Sequence, residues 1–107
     1  MRVRLEVKHD FQRKAVDEVI DFCAAWYELP RKELIFTNKT HHQYRYRKVA
    51  IWLARDLTNA SFTIIAKAFG YSDHSAIMRA IDLTQKQMAE NPELRAEVMT
   101  IREKFLD

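Results

Sequence analysis

The sequence predicts an all-α domain, compact and built of five to six helices, with two of them joined as a helix-turn-helix. Three observations carry that prediction. The 107 residues hold one glycine and two prolines, which leaves almost nothing for hairpin turns. Ala, Leu, Arg, Lys, Glu and Met are frequent, and these side chains lose least on entering a helix. Apolar residues then recur at spacings of three and four, in blocks separated by polar capping residues and breakers.

Each block can be justified in turn. The opening "RVRLEV" alternates and reads as a short strand or an arm over residues 1–10. Asp10 is placed to cap a helix that carries Val16, Val19, Ile20, Cys23, Trp26 and Tyr27 on one face, and Pro30 stops it. Residues 31–36 form a short helix or turn, and "TNKTHHQY" at 37–44 is a polar loop. The next helix runs to about Leu57, buries Val49, Ala50, Leu53 and Leu57, and leaves Trp52 on its flank. Thr58 and Asn59 break it. Ser61 caps a short helix with Ile64, Ile65, Ala68 and Phe69, which Gly70 ends. A longer helix starts near Asp73 and buries Ile77, Ile81, Thr84 and Met88. Asn91-Pro92, a cap followed by a first-turn proline, starts the last helix over 92–107, with Leu94, Val98, Ile101 and Phe105 inward.

Composition excludes several classes. At 48% hydrophobic and 31% charged, the chain is globular rather than disordered, and its length suits one domain spanning 1–107. No apolar run approaches the roughly 20 residues of a membrane span, and no signal peptide opens the chain, so a cytoplasmic protein is expected. The sole cysteine, Cys23, excludes an internal disulfide and suits a reducing compartment.

Charge is uneven. The net charge is only +3, yet Arg31, Lys32, Lys39, Arg45, Arg47, Lys48 and Arg55 stand against Glu33 alone between positions 31 and 55. A short helix, a glycine turn and a second helix over residues 61–88 have the anatomy of a helix-turn-helix, in which Ala66 allows close approach. The first residues of the second helix then point into a DNA major groove. There Asp73 and Ser75 can accept, Ser75 and His74 can donate, and helix-terminal N–H groups attract a phosphate. The plainer reading is that Ser72 or Asp73 caps the helix and His74 is a solvated surface residue.

At these residues the chain resembles a known family. "LARDLTN" (53–59) and "AFGYSDHSA" (68–76), within residues 46–81, resemble the C-terminal DNA-binding domain of the bacterial chromosomal replication initiator DnaA, and the likeness extends back to about Val16. The resemblance implies a Trp-repressor-like all-α fold that binds double-stranded DNA in replication or its regulation. It further implies base contacts by Asp73, His74 and Ser75 in the major groove and by Arg47 in the minor groove. Arg55 falls where the family contacts a phosphate or base, and Lys48 and Lys67 are phosphate neighbours. Arg45, Ser72 and Arg79 complete the candidate DNA-binding set. A bacterial or phage, nucleoid-associated setting follows from the same likeness.

Departures accompany it. Where the family signature has a second glycine, an arginine and a second threonine, this chain has Tyr71, Ser72 and Ala76. No phosphate-binding GxxxxGK[ST] loop occurs, so the expectation is a stand-alone DNA-binding domain without ATPase activity, nucleotide or other cofactor. His41-His42 lacks the surrounding ligands of a metal site, and Asp73 beside His74 lacks a nucleophile or pocket for catalysis. Tyr44 and Tyr46, between the arginines, read equally as braces for a DNA backbone or as core cover. Two other functions fit the pattern: a small transcriptional regulator, and a protein-interaction module that keeps the helix-turn-helix as scaffold.

Overall fold

The computed structural model describes residues 2–35 and 43–107, with side chains from residue 11 onward. It consists of α1 (Arg2–Trp26), a 3-10 turn (Arg31–Glu33), α2 (Tyr44–Leu57), α3 (Phe62–Ala68), α4 (His74–Glu90) and α5 (Pro92–Leu106). The all-α expectation holds: α3, α4 and α5 begin at the expected caps Ser61, Asp73 and Asn91, while α2 begins at Tyr44, inside the segment expected as loop, and ends at Leu57 as expected. Residues 37–42 of the loop expected at 37–44, with Lys39, His41 and His42, lie outside the described residues.

The first helix corrects the sequence reading. Residues 2–10 belong to α1 rather than to a strand or arm, and Asp10 lies inside the helix instead of capping it. Nothing between Arg2 and Asp10 can break a helix, whereas Arg, Leu, Glu and Lys all favour one; six alternating residues are too few to outweigh that. Its C-terminal end is also reached before Pro30. Glu28 takes a left-handed φ of 55°, while Glu28 N–H donates to Ala25 O (3.2 Å) and Leu29 N–H to Ala24 O (2.9 Å). That pair of bonds closes a helix end that usually uses glycine.

The second helix is the centre of the fold. Every residue from Arg47 to Ala54 is buried, because α1, α3, α4 and α5 all pack against α2. A one-sided stripe would have left Ile51 and Trp52 wet. Instead Ile51 is fully buried, and Trp52, at 9% exposure, donates its indole N–H to Gln85 Oε1 at 2.9 Å.

Local chemistry stitches the connections. Arg31 spans Asp17 (2.7 Å) and Asp21 (3.2 Å), which holds the 3-10 turn on α1. Thr58 Oγ1 donates to Ala54 O and accepts from Ala60 N–H, folding the exit of α2 back on itself. Asn91 Oδ1 accepts from Glu93 N–H (3.0 Å) and Leu94 N–H (3.2 Å), so one residue ends α4 and starts α5. The last helix returns to the first, where Phe22 meets Phe105 edge-on at 5.4 Å. No helix among the described residues is long and apolar enough to cross a membrane.

Cys23 is fully enclosed in this core, and burial pushes its thiol up to about 12. The native protein should therefore resist iodoacetamide at pH 8, while the urea-unfolded chain, with a thiol near about 8.5, is alkylated. Rapid labelling of the native state would contradict the core placement.

Candidate nucleic-acid interface

The site begins with a helix end. Ser61 Oγ accepts from Ile64 N–H at 3.2 Å and starts α3. At its other end Gly70 adopts a φ of 82°, a conformation that costs any residue with a Cβ. Gly70 N–H then donates to Lys67 O (3.2 Å) and Tyr71 N–H to Ala66 O (2.9 Å). These bonds close the two-bond glycine cap and turn the chain sharply toward α4. The buried Ala66 lies between the packed helices, as its size had suggested.

After the turn come Ser72, Asp73, His74 and Ser75, all exposed. Asp73 is the cap: its Oδ1 accepts from Ser75 N–H (3.0 Å) and its Oδ2 from Ser75 Oγ (2.7 Å). The Ser75 amide, followed by its hydroxyl, holds the Asp73 carboxyl below its ordinary range. Capping and polar display thus occur in the same two residues. Ser75, whose hydroxyl hydrogen points at Asp73, presents lone pairs outward and so accepts. His74, with 54% of its side chain exposed and Nδ1 4.0 Å from Asp73 Oδ1, can donate or accept. One turn further along, Met78 is 43% exposed, an apolar group that the polar motif had not drawn attention to.

The cations divide into two groups. Lys67 on α3 and Arg79 on α4 are exposed. Arg55 is exposed too and is braced: its guanidinium lies 4.2 Å over the Phe62 ring, and Nη1 donates to Ala60 O. Arg45 is exposed but paired with Glu97 at 2.8 Å. Lys48, at 8% exposure, donates to Gln87 Oε1 (2.9 Å), and burial lowers its pKa, with Arg45 adding to the effect.

Arg47 departs furthest from a side chain extended toward a groove. It lies in the first turn of α2, is 2% exposed and places its guanidinium 5.4 Å over the Tyr44 ring. Burial raises the Tyr71 pKa, and Arg47 works against that rise. The reason for the inward placement is positional: the first turn of α2 enters the part of the helix that its neighbours enclose.

Sequence periodicity could not have found these pairs. Lys48 and Gln87 are 39 residues apart, and Tyr27, which donates to Glu97 beside Arg45, is 70 residues from its partner. The same network answers for Tyr46, whose ring packs against Tyr27 at 4.4 Å as core cover. An open cleft of about 580 Å³ adjoins the network, between α2, α4 and α5. It is lined by charges of both signs and by none of residues 72–75. No group of three or more metal-ligating side chains occurs among the described residues.

Comparison with known proteins gives a consistent picture. The model of the bacterial DnaA protein helix-turn-helix matches residues 16–83. The chromosomal replication initiator protein DnaA of Streptococcus thermophilus is 32% identical over 90 residues, which cover 84% of this chain and 20% of that protein. The proteins of the same name from Nautilia profundicola (32%, 84% and 21%) and Streptococcus uberis (33%, 84% and 20%) are similar to the same extent. The chain thus spans about a fifth of the length of these relatives. A crystal structure of a DNA replication initiation factor superposes with a TM-score of 0.81 over 94% of this chain and 31% of that one, at 23% identity. That likeness establishes the fold.

The Asp73 cap has a pH signature. A carboxyl whose folded pKa is depressed contributes stability above its unfolded value of about 3.9 and loses that contribution as pH falls through the folded value. The Ser75 amide resonance should therefore titrate with a midpoint below the ordinary aspartate range, and Asp73→Asn should abolish the transition. A midpoint at or above the ordinary value would refute the cap.

Proposed function

The chain belongs to the bacterial DnaA helix-turn-helix family, and from this we propose that it binds double-stranded DNA with sequence preference, in replication or its regulation. The observation that carries the reading is the start of α4. Four consecutive polar residues stand exposed at a helix N-terminus, held out by a glycine-capped turn, in the arrangement that presents a recognition helix to the major groove.

In this reading His74 and Ser75 meet base edges, with Asp73 ordering Ser75 and its remaining lone pairs open to a base amino group. Ser72 and the free N–H groups of the first turn meet a phosphate. Met78 suits a thymine methyl. Lys67, Arg55 and Arg79 neutralise backbone phosphates, and Arg45 joins them on release from Glu97. The reading assigns the domain no catalytic step and no nucleotide, consistent with a 107-residue sequence that lacks a phosphate-binding loop. Ser72 and Ala76 stand where the family has an arginine and a threonine, so the preferred site is a shifted relative of the family's own.

Selection from a random duplex pool, followed by anisotropy titration of the winner, tests the proposal. Affinity should fall with a log–log salt slope of about −0.9 per phosphate neutralised. His74→Ala and Ser75→Ala should each remove about 1–3 kcal/mol of discrimination between selected and scrambled duplexes, with the helical dichroism unchanged. A flat salt response with no enriched sequence would leave the protein-interaction reading in its place.

A further inference from the structure

Single exposed apolar side chains are ordinary on a protein surface, but a row of them is not. The first helix carries such a row. Phe11, Ala15, Phe22 and Trp26 follow one another at four, seven and four residues, which puts them on one stripe of α1 beside its core face. Phe11 is 66% exposed and Trp26 40%, while Ala15 and Phe22 are half-buried. The aromatic end of the stripe is fixed in place: Phe22 stacks on Trp26 at 6.4 Å and meets Phe105 edge-on at 5.4 Å. Leu106, the next residue on α5, is exposed as well. Neither the glycine turn nor the start of α4 contributes to this stripe.

We infer that the stripe is covered by the same stripe of a second copy of the chain, with the two α1 helices antiparallel about a two-fold axis. The placement of the residues selects this occupant. Phe11 with Trp26, and Ala15 with Phe22, stand symmetrically about the bond between Glu18 and Val19. A two-fold contact needs that symmetry, because each residue must meet its counterpart's partner across the axis. Phe11 of one copy then covers Trp26 of the other, and the small Ala15 leaves room for Phe22. Charge selects the same orientation. Lys14 and Asp21 lie along one flank of the stripe, both exposed, and are nearly symmetric about the same point. Antiparallel pairing therefore sets ammonium against carboxylate twice, whereas parallel pairing would set like against like. Glu18 is the exception. Its two copies approach each other near the axis, and their repulsion limits the affinity. One helix stripe is also smaller than a standard interface, so the pair is a weak one.

Sedimentation velocity on the full chain without DNA tests this, and half-association should fall between about 10 µM and about 1 mM. Phe11→Ser removes an exposed ring, so it should melt as wild type by circular dichroism yet weaken association by about tenfold, the scale of a lost interface anchor. Lys14→Glu and Asp21→Lys should each weaken it, and the double variant Lys14→Glu/Asp21→Lys should restore it. Asp17 still holds Arg31 at 2.7 Å when Asp21 is replaced. Glu18→Gln should tighten the pair. Trp26 and Trp52 are the two tryptophans, and Trp52 is buried, so iodide quenching follows Trp26 and should fall as the pair forms. A chain that stays monomeric up to about 1 mM overturns the inference and leaves the stripe to a different protein. So does association that is indifferent to Phe11→Ser, or that does not return in the charge-swapped double variant. If Asp21→Lys melts early, Phe11→Ser and Lys14→Glu decide the matter by themselves. No DNA is present in these measurements, so their failure leaves the DNA-binding reading untouched.

Discussion

Enclosure of α2 is the constraint on which the other elements depend. Each of the other four helices touches it, so no pair of them can shift without opening a gap along Arg47–Ala54. Interiors are close-packed, and gaps of even a methylene are felt. The helix therefore acts as an axle: α1 and α5 close one side through Phe22 and Phe105, and α3 and α4 take their crossing from the other. The same enclosure dictates the treatment of Arg47 and Lys48. Both are drawn in with the helix, and both acquire partners, the ring of Tyr44 for the one and an amide oxygen for the other.

Against that rigid centre, the surface proposed to read DNA is assembled from short-range chemistry. Gly70 accepts a backbone conformation that other residues resist, and the two hydrogen bonds it permits fix the direction of α4. Asp73 then satisfies one amide of the first turn, that of Ser75, and leaves the others open. The consequence is a division of labour within four residues. Asp73 and Ser75 spend hydrogen-bonding capacity on each other, whereas His74 retains both of its own. Around them, Arg55 is steadied by Phe62 instead of by an acid, so its charge remains available to a phosphate. Arg45 has an acidic partner and must exchange it.

Much of this was legible in the residues. Ser61, Gly70, Asp73 and Asn91 act within a few positions of themselves, and the structure uses each of them as cap or terminator where the sequence suggested. The exposed polar start of α4 could be located for the same reason. The beginning of α1 is not legible in the same way, because a brief alternation of Val and Leu with charged residues fits a strand and a helix equally, and Asp10 lies within the helix instead of capping it. Helix propensity over residues 2–9 then prevailed.

The sequence by itself determined the all-α class, the place of the glycine turn and the identity of the residues displayed after it, since caps, a positive-φ glycine and proline act locally. Only the tertiary structure decided which cations face outward. Arg45, Arg47 and Lys48 share one turn of α2, yet the first is exposed and the other two are buried. For two of them what distinguishes them is supplied from far along the chain: Gln87 for the buried Lys48, and Glu97 for the exposed Arg45. Burial of a charge is settled by the partners that packing brings to it, and no local pattern encodes partners that lie tens of residues away.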